Sequence, residues 1–385
     1  MRWSTRLSSA LTLLLLSGWG IVPMASPLEA QPAEWRVESE PLVLVGASVD
    51  DPRDQLDRVS AAVWLGARGL VIANGGAELR FHDAAGSYRT TSGRSGEGPG
   101  DFRSVTWLAA SGDSLILAYD QRLQRVSFLD TDGAHLRSFL LNDPRLGVGP
   151  EVGGLLDDGL LTLWRMPPLI PALGGLSQRR FRLALHGLDG DFRRILGEGP
   201  AGEAFIVVVP GRGNVLRRAP FSPTPRYAAQ GERLYRAEGV AYAVDVVDLD
   251  GGLQVTAGDR RDRVELSDAI KEAFLRDTLR TWPSDSQRRI EREFQSMMVH
   301  EELPLVHAMR VDRLGHVWLR RRGPNGPQSH WDVFSPEGDR VARVELPEHR
   351  ALLDVTEDAV VLLESGSYGE DLVGVYALRR ANSRD

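Results

Sequence analysis

The chain of 385 residues contains no cysteine, which excludes disulfides, thiol nucleophiles, thiolate-bound zinc and the lipid-bearing cysteine of a lipoprotein. Lysine is almost as scarce. Lys271 is the one lysine among 46 basic residues, so Schiff-base chemistry has a single, poorly placed candidate. The arginine bias fits a high-GC bacterial coding sequence. Beyond the first 30 residues no uncharged apolar run is long enough to span a bilayer. The net charge of −7 has the wrong sign for a nucleic-acid partner. Without covalent staples, stability must come from core burial.

The amino terminus carries an export pattern. Arg2 and Arg6 precede an apolar run over 10–22, and small residues follow up to Leu28-Glu29-Ala30. This is the layout of a secretory signal peptide cleaved after Ala30 or near Ala25. Ser17, Gly18 and Pro23 interrupt the run, so it suits a membrane anchor poorly. The expected organisation is a leader over 1–30, one domain over 31–380 and a short tail over 381–385. The expected location is periplasmic or secreted, with no stable membrane insertion after cleavage.

A repeat runs through the remainder. A β-rich run, an Asp/Gly turn and a second β-rich run recur, with turn glycines at Gly86, Gly133, Gly190, Gly251 and Gly338. Each reads as a hairpin, because glycine supplies the positive φ that a tight connection between twisted strands needs. Two further short strands precede each hairpin, giving four per unit. Such a period predicts an all-β, six-bladed β-propeller of four-stranded blades. The last unit, over 352–355, 359–363 and 373–378, lacks a strand. The run over 35–45 is expected to supply it and so remove an exposed sheet edge.

The longest interval between turn glycines holds an insertion, about 266–303, with a helical period. Leu266, Ile270 and Phe274 form one apolar stripe, and Ile290, Phe294, Met297 and Met298 another. Ser284 and Gln287 have the spacing of a capping box. The expectation is a helical hairpin packed on one face, with a lid over the channel as the alternative.

The run Gly93-Arg94-Ser95-Gly96-Glu97-Gly98-Pro99-Gly100-Asp101-Phe102 resembles the glycine-rich loop of a bacterial family of exported six-bladed propellers related to the NHL-repeat group. A weaker copy lies at Gly197 to Phe205, and Asp312 to Leu319 is similar to the inner turn of NHL-type blades. The resemblance implies fold and export but no catalytic residue.

Gly96, Glu97, Gly98, Pro99, Gly100, Asp101 and Phe102 are therefore assigned to a structural loop. They lack the Gly-Lys-Ser/Thr ending and following helix of a phosphate loop. His300 and His307 stand seven apart instead of four and do not form a zinc-protease motif. No Gly-x-Ser-x-Gly nucleophile elbow occurs. His82 and His186 take matching places in two units, which suggests surface or inter-blade positions. The leading functional expectation is a binding or scaffold protein, without cofactor, that recognises a peptide, glycan or small ligand at a channel mouth. The alternative is a metal-assisted, lactonase-like hydrolase or lyase. It would use a divalent cation in the channel, with Glu151, Asp354 and His307 as candidate ligands.

Overall fold

The computed structural model describes residues 35–48, 51–112, 114–168, 175–209, 213–324 and 326–380. The expected leader and tail lie outside the described residues.

Strand β1 (Arg36–Val45) comes first. Four strands then meander as one antiparallel sheet, β2 (Ala61–Trp64), β3 (Leu70–Asn74), β4 (Glu78–His82) and β5 (Tyr88–Ser92). A second such sheet comprises β6 (Val105–Ser111), β7 (Leu115–Asp120), β8 (Arg125–Asp130) and β9 (His135–Leu140). Then come β10 (Val148–Leu156), β11 (Gly159–Arg165), β12 (Gly175–His186), β13 (Phe192–Val209) and β14 (Gly213–Arg217). They share one nine-stranded sheet with β15 (Arg226–Gly231), β16 (Arg233–Ala237), β17 (Tyr242–Asp248) and β18 (Leu253–Asp259). The short pair β19 (Val264–Glu265) and β20 (Glu302–Leu303) brackets helices α1 (Asp268–Leu279) and α2 (Ser284–Met297). The sheet of β21 (Val306–Val311), β22 (Val317–Gly323), β23 (Gly326–Phe334) and β24 (Arg340–Glu345) follows. In the last sheet β25 (Ala351–Val355), β26 (Ala359–Ser365) and β27 (Asp371–Arg379) are completed by β1, which pairs antiparallel with β27 from Arg36↔Arg379 to Val45↔Val373.

The fold is thus mostly β with a propeller-like arrangement, but it does not show six separate four-stranded sheets. Four stand alone, and the region expected to form the third and fourth blades is continuous. The cause is a parallel pairing of β10 with β15, Gly154↔Ala229 to Leu156↔Gly231. A Cβ at Gly154 would lie 2.5 Å from both the nitrogen and the oxygen of Ala229. Only glycine lets the two backbones approach this closely.

The second glycine-rich copy also departs from expectation. It is not a loop leading to the next unit. Arg180 to Leu183 pair with Pro200 to Gly197, and the whole copy lies within β13. Strand β12 runs for 12 residues and extends the pairing across the copy. Helix α2 starts without the expected capping box: Pro283 occupies the N-cap position and makes no side-chain bond. The Gln287 amide instead donates to the carbonyls of Leu279 and Trp282, both at 3.1 Å, covering the end of α1. The helices are joined to each other by the Phe274–Phe294 ring contact, with centroids 5.8 Å apart, to the segment between β14 and β15 by Phe221–Phe274 at 5.0 Å, and to β14 by Arg217–Glu293 at 3.1 Å.

Apolar side chains collect between consecutive sheets. Ile72 and Leu70 pack with Val45, Val361 and Val375, joining the first meander to the last. Trp318 and Trp331 pack with Trp35 and Leu362. The outer turns key into neighbouring units as well. Gly86 has a φ of 86°, and a Cβ there would meet Val43 of β1 at 2.9 Å.

Asp371 is a polar tie at the same junction. It is buried, accepts the Val59 backbone N–H at 2.7 Å and pairs with Arg350. Replacing it would leave a buried donor without a partner. Asp371→Ala is expected to lower the unfolding free energy by about 1–3 kcal/mol, as read by chemical denaturation; an unchanged midpoint would show that the tie contributes nothing.

Candidate functional site

A cavity of about 670 Å³ lies within the arrangement, and the strands around it are β2, β6, β10, β15, β21 and β25. Each is the first strand of its meander. Among them β10 and β15 run parallel, which places the same end of both at one mouth. The wall mixes small residues with a few polar groups, including Thr106, Gln230, Arg310, Arg313 and Asp354.

Asp354 and Arg313 form a closed pair. The Arg313 guanidinium donates to Asp354 Oδ2 at 3.0 Å and to the Trp64 carbonyl at 2.7 Å, and the Trp64 N–H donates to the same carboxylate at 3.0 Å. Arg310 is different. Its Nε donates to the Leu352 carbonyl at 2.7 Å, and it forms no ion pair with any described residue. Arg310 is exposed and lines the cavity. The protein atoms packed around its guanidinium still lower its pKa by desolvation, with the charge of Asp354 opposing the shift.

The structure does not join the three candidate metal ligands into a site. Glu151 is bonded to Arg165, and Asp354 to Arg313. His307 sits among cations, and its carbonyl accepts the Arg226 Nη2 donor at 3.2 Å. Among the described residues no group of three or more His, Asp or Glu side chains has a metal-holding arrangement. His300 is taken up by Glu203 at 3.0 Å and Ser222 at 3.3 Å.

The glycine-rich loop is closed on itself and on the second meander. The Phe102 N–H donates to the Arg94 carbonyl at 2.9 Å, and the Gly96 N–H to the Phe102 carbonyl at 3.2 Å. The Asp101 carboxylate accepts the Gly98 N–H at 3.2 Å and pairs with Arg94 at 3.1 Å. Glu97 pairs with Arg103 at 3.0 Å, and its carbonyl accepts Arg125 at 3.0 Å. Phe102 is fully buried. Gly100 packs near His135, and Pro99 lines a shallow surface hollow with it. None of these residues lines the central cavity.

His82 and His186 are buried rather than on the surface. The His82 ring bonds the Gly86 carbonyl at 3.1 Å, and His186 meets Thr162 Oγ1 at 2.9 Å. Burial lowers the pKa of both.

The residues that composition concealed are arginines. They are dispersed along the chain, and an overall acidic charge hides them. One local signal exists in Arg320-Arg321-Arg322 on β22, where alternation sends the first and third to the face opposite the second.

No family model matches the chain, and no curated protein matches it in sequence. Solved structures share its outline at low identity. A member of the DUF4221 family from Bacteroides vulgatus is 10% identical, with 91% of this chain and 100% of that chain covered and a TM-score of 0.49. A Bacteroides fragilis protein presumed to be exported is 9% identical, with 92% and 98% covered and a TM-score of 0.47. A streptogramin B lyase is 10% identical, with 90% and 98% covered and a TM-score of 0.39. Likenesses at this level assign neither family nor activity.

The surroundings of His307 generate a pH prediction. Burial, followed by the charges of Arg322, Arg320 and Arg226 and by His349, pushes its pKa down to about 4. The folded state then binds fewer protons than the unfolded state between pH 4 and the ordinary value of 6.5. Its contribution to stability is full above pH 6.5 and is lost as pH falls toward 4. In NMR titration the His307 ring resonances are expected to stay constant from pH 8 to about 5; movement centred near 6.5 would contradict the assigned environment.

Proposed function

We propose that this chain is an exported six-bladed β-propeller that binds a peptide, glycan or small ligand at one mouth of its central cavity. The nine-stranded sheet is counted as two blades fused along β10 and β15. Six apolar clusters support this count, each spanning two consecutive units, of which the one from β10 to β14 has five strands and the others four, with the cluster between the last and first units included. Export is proposed from the leader pattern alone. Among the described residues no helix is long and apolar enough to cross a membrane.

The observation that carries the binding reading is the cavity itself. A volume of about 670 Å³ lies in the range of small-ligand sites, which are walled by a scaffold and furnished with a few polar groups. The reading invokes no cofactor, since the candidate acids face arginines. Among the described residues the hydrolase alternative gains no converging donor set. Helices α1 and α2, anchored by Ile270 of α1 and by the flanking Leu266 and Leu303 into the core beside β21, are proposed as a fixed structural hairpin and not a moving lid.

Thr106 is exposed and lines the cavity, so Thr106→Trp narrows it without touching the core. Thermal-shift measurements over neutral oligosaccharides, acidic oligosaccharides and short peptides are expected to find a class that raises the wild-type Tm. The same class should leave Thr106→Trp unshifted at an unchanged unliganded Tm. Equal stabilisation of both proteins would remove the cavity from the account.

A further inference from the structure

Several arginines in this part of the chain are matched. Arg313, on the cavity wall, meets Asp354, Arg321 meets Asp262 and Arg343 meets Asp332. Five others are not: Arg218, Arg226, Arg310, Arg320 and Arg322 form no ion pair with any described residue. Four of them have polar contacts with neutral groups only. Arg218 reaches Thr224 Oγ1, Arg226 the His307 carbonyl at 3.2 Å, Arg310 the Leu352 carbonyl at 2.7 Å, and Arg320 the Gln328 carbonyl at 2.8 Å with His349 at 3.4 Å. Arg322 Nε is buried with no hydrogen-bond partner, as is His307 Nδ1 beside it.

These side chains converge from separate parts of the sequence. Arg226 begins β15, His307 and Arg310 lie on β21, and Arg320 and Arg322 lie near the end of β22 that pairs with the start of β21. They act on one another. The pKa of Arg226 is lowered by burial and then by the charges of Arg310, Arg218 and Arg322, and that of Arg322 by burial and then by Arg218. Concentrated positive charge of this kind, with Arg226, Arg320 and Arg322 partly buried, Arg218 and Arg310 exposed, and the nearby Asp354 carboxylate already held by Arg313, costs folding free energy in the empty protein. Surface solubility does not explain it, because the chain as a whole is acidic.

We infer that this cluster is an anion-binding site at the cavity mouth, taking a small ligand with two or more carboxylate, sulfate or phosphate groups. A single charge would leave most of the guanidinium groups unmatched. Their planar forks suit bidentate contacts to oxyanions. Arg310 lines the cavity and Arg226 adjoins the lining residue Tyr227, so a bound anion would extend from the rim inward. The inference rests on the cavity reading and names its ligand class.

Titration calorimetry with citrate and with pyrophosphate tests it. Both probes are expected to bind the wild type at low ionic strength and to weaken as salt rises. The double variant Arg226→Gln/Arg322→Gln should lose about tenfold or more in affinity, the equivalent of one charge-assisted hydrogen bond. Arg261→Gln, on an exposed residue paired with Asp259, should bind as the wild type does. The double variant should also melt no lower than the wild type, because removing like charges relieves repulsion; a merely structural role would lower its Tm. If it fails to fold, the exposed Arg218→Gln carries the same comparison. Absence of binding by the wild type at millimolar probe, or equal binding by wild type and Arg variants, would overturn the inference. Loss of binding in the Arg variants with full binding in Thr106→Trp would keep the anion site and discard the cavity reading.

Discussion

The pairing of β1 with β27 is the constraint on which the rest depends. It makes the first described strand complete a sheet whose other three strands come last, so the two ends of the described chain are hydrogen-bonded into one sheet. The apolar contacts of Val43 and Val45 with Leu56, Ile72 and Val373 then join last unit to first. The junction also sets β25 beside β2 on the cavity wall. A chain lacking β1 would keep its local hairpins but expose β27 and lose the Val43 and Val45 contacts that hold the last unit against the first.

Given that wall, the distribution of charge becomes informative. Inner-strand acids are answered locally, Asp354 by Arg313 and Glu151 by Arg165, and leave little for a cation to bind. Around β15, β21 and β22 the balance runs the other way, with guanidinium groups bonded only to carbonyls, a hydroxyl and an imidazole. Proteins rarely leave half-buried charges unmatched without a use, because each costs solvation that nothing returns. Arg322 Nε and His307 Nδ1, two of several buried side-chain atoms without a hydrogen-bond partner, lie at the same place.

Much of the architecture was legible in the sequence because it rests on local rules. Turn glycines at 86, 133, 190, 251 and 338 all adopt positive φ, as hairpins between twisted strands require. The strand over 35–45 was legible as an unpaired β-run awaiting an edge. What was not legible depends on contacts between distant segments. Gly153-Gly154 gives no hint that β15 will lie alongside β10. Gly197 to Phe205 looks like a loop until β12 extends beside it. The same holds for the site. Glu151, Asp354 and His307 were reasonable from residue type, yet their partners come from elsewhere in the chain. Arg218, Arg226, Arg310, Arg320 and Arg322 are unremarkable singly in an arginine-rich protein. Only the folded arrangement shows that none of the five forms an ion pair with a described acid.

The central claim is that this mouth holds an anion. Diffraction from crystals soaked in tungstate, a strongly scattering divalent oxyanion, tests it directly. The account predicts an anomalous peak bounded by the guanidinium groups of Arg226, Arg310 and Arg322, beside the His307 ring. A map with no peak there, or with these arginines turned onto carboxylates of the same chain, would contradict it.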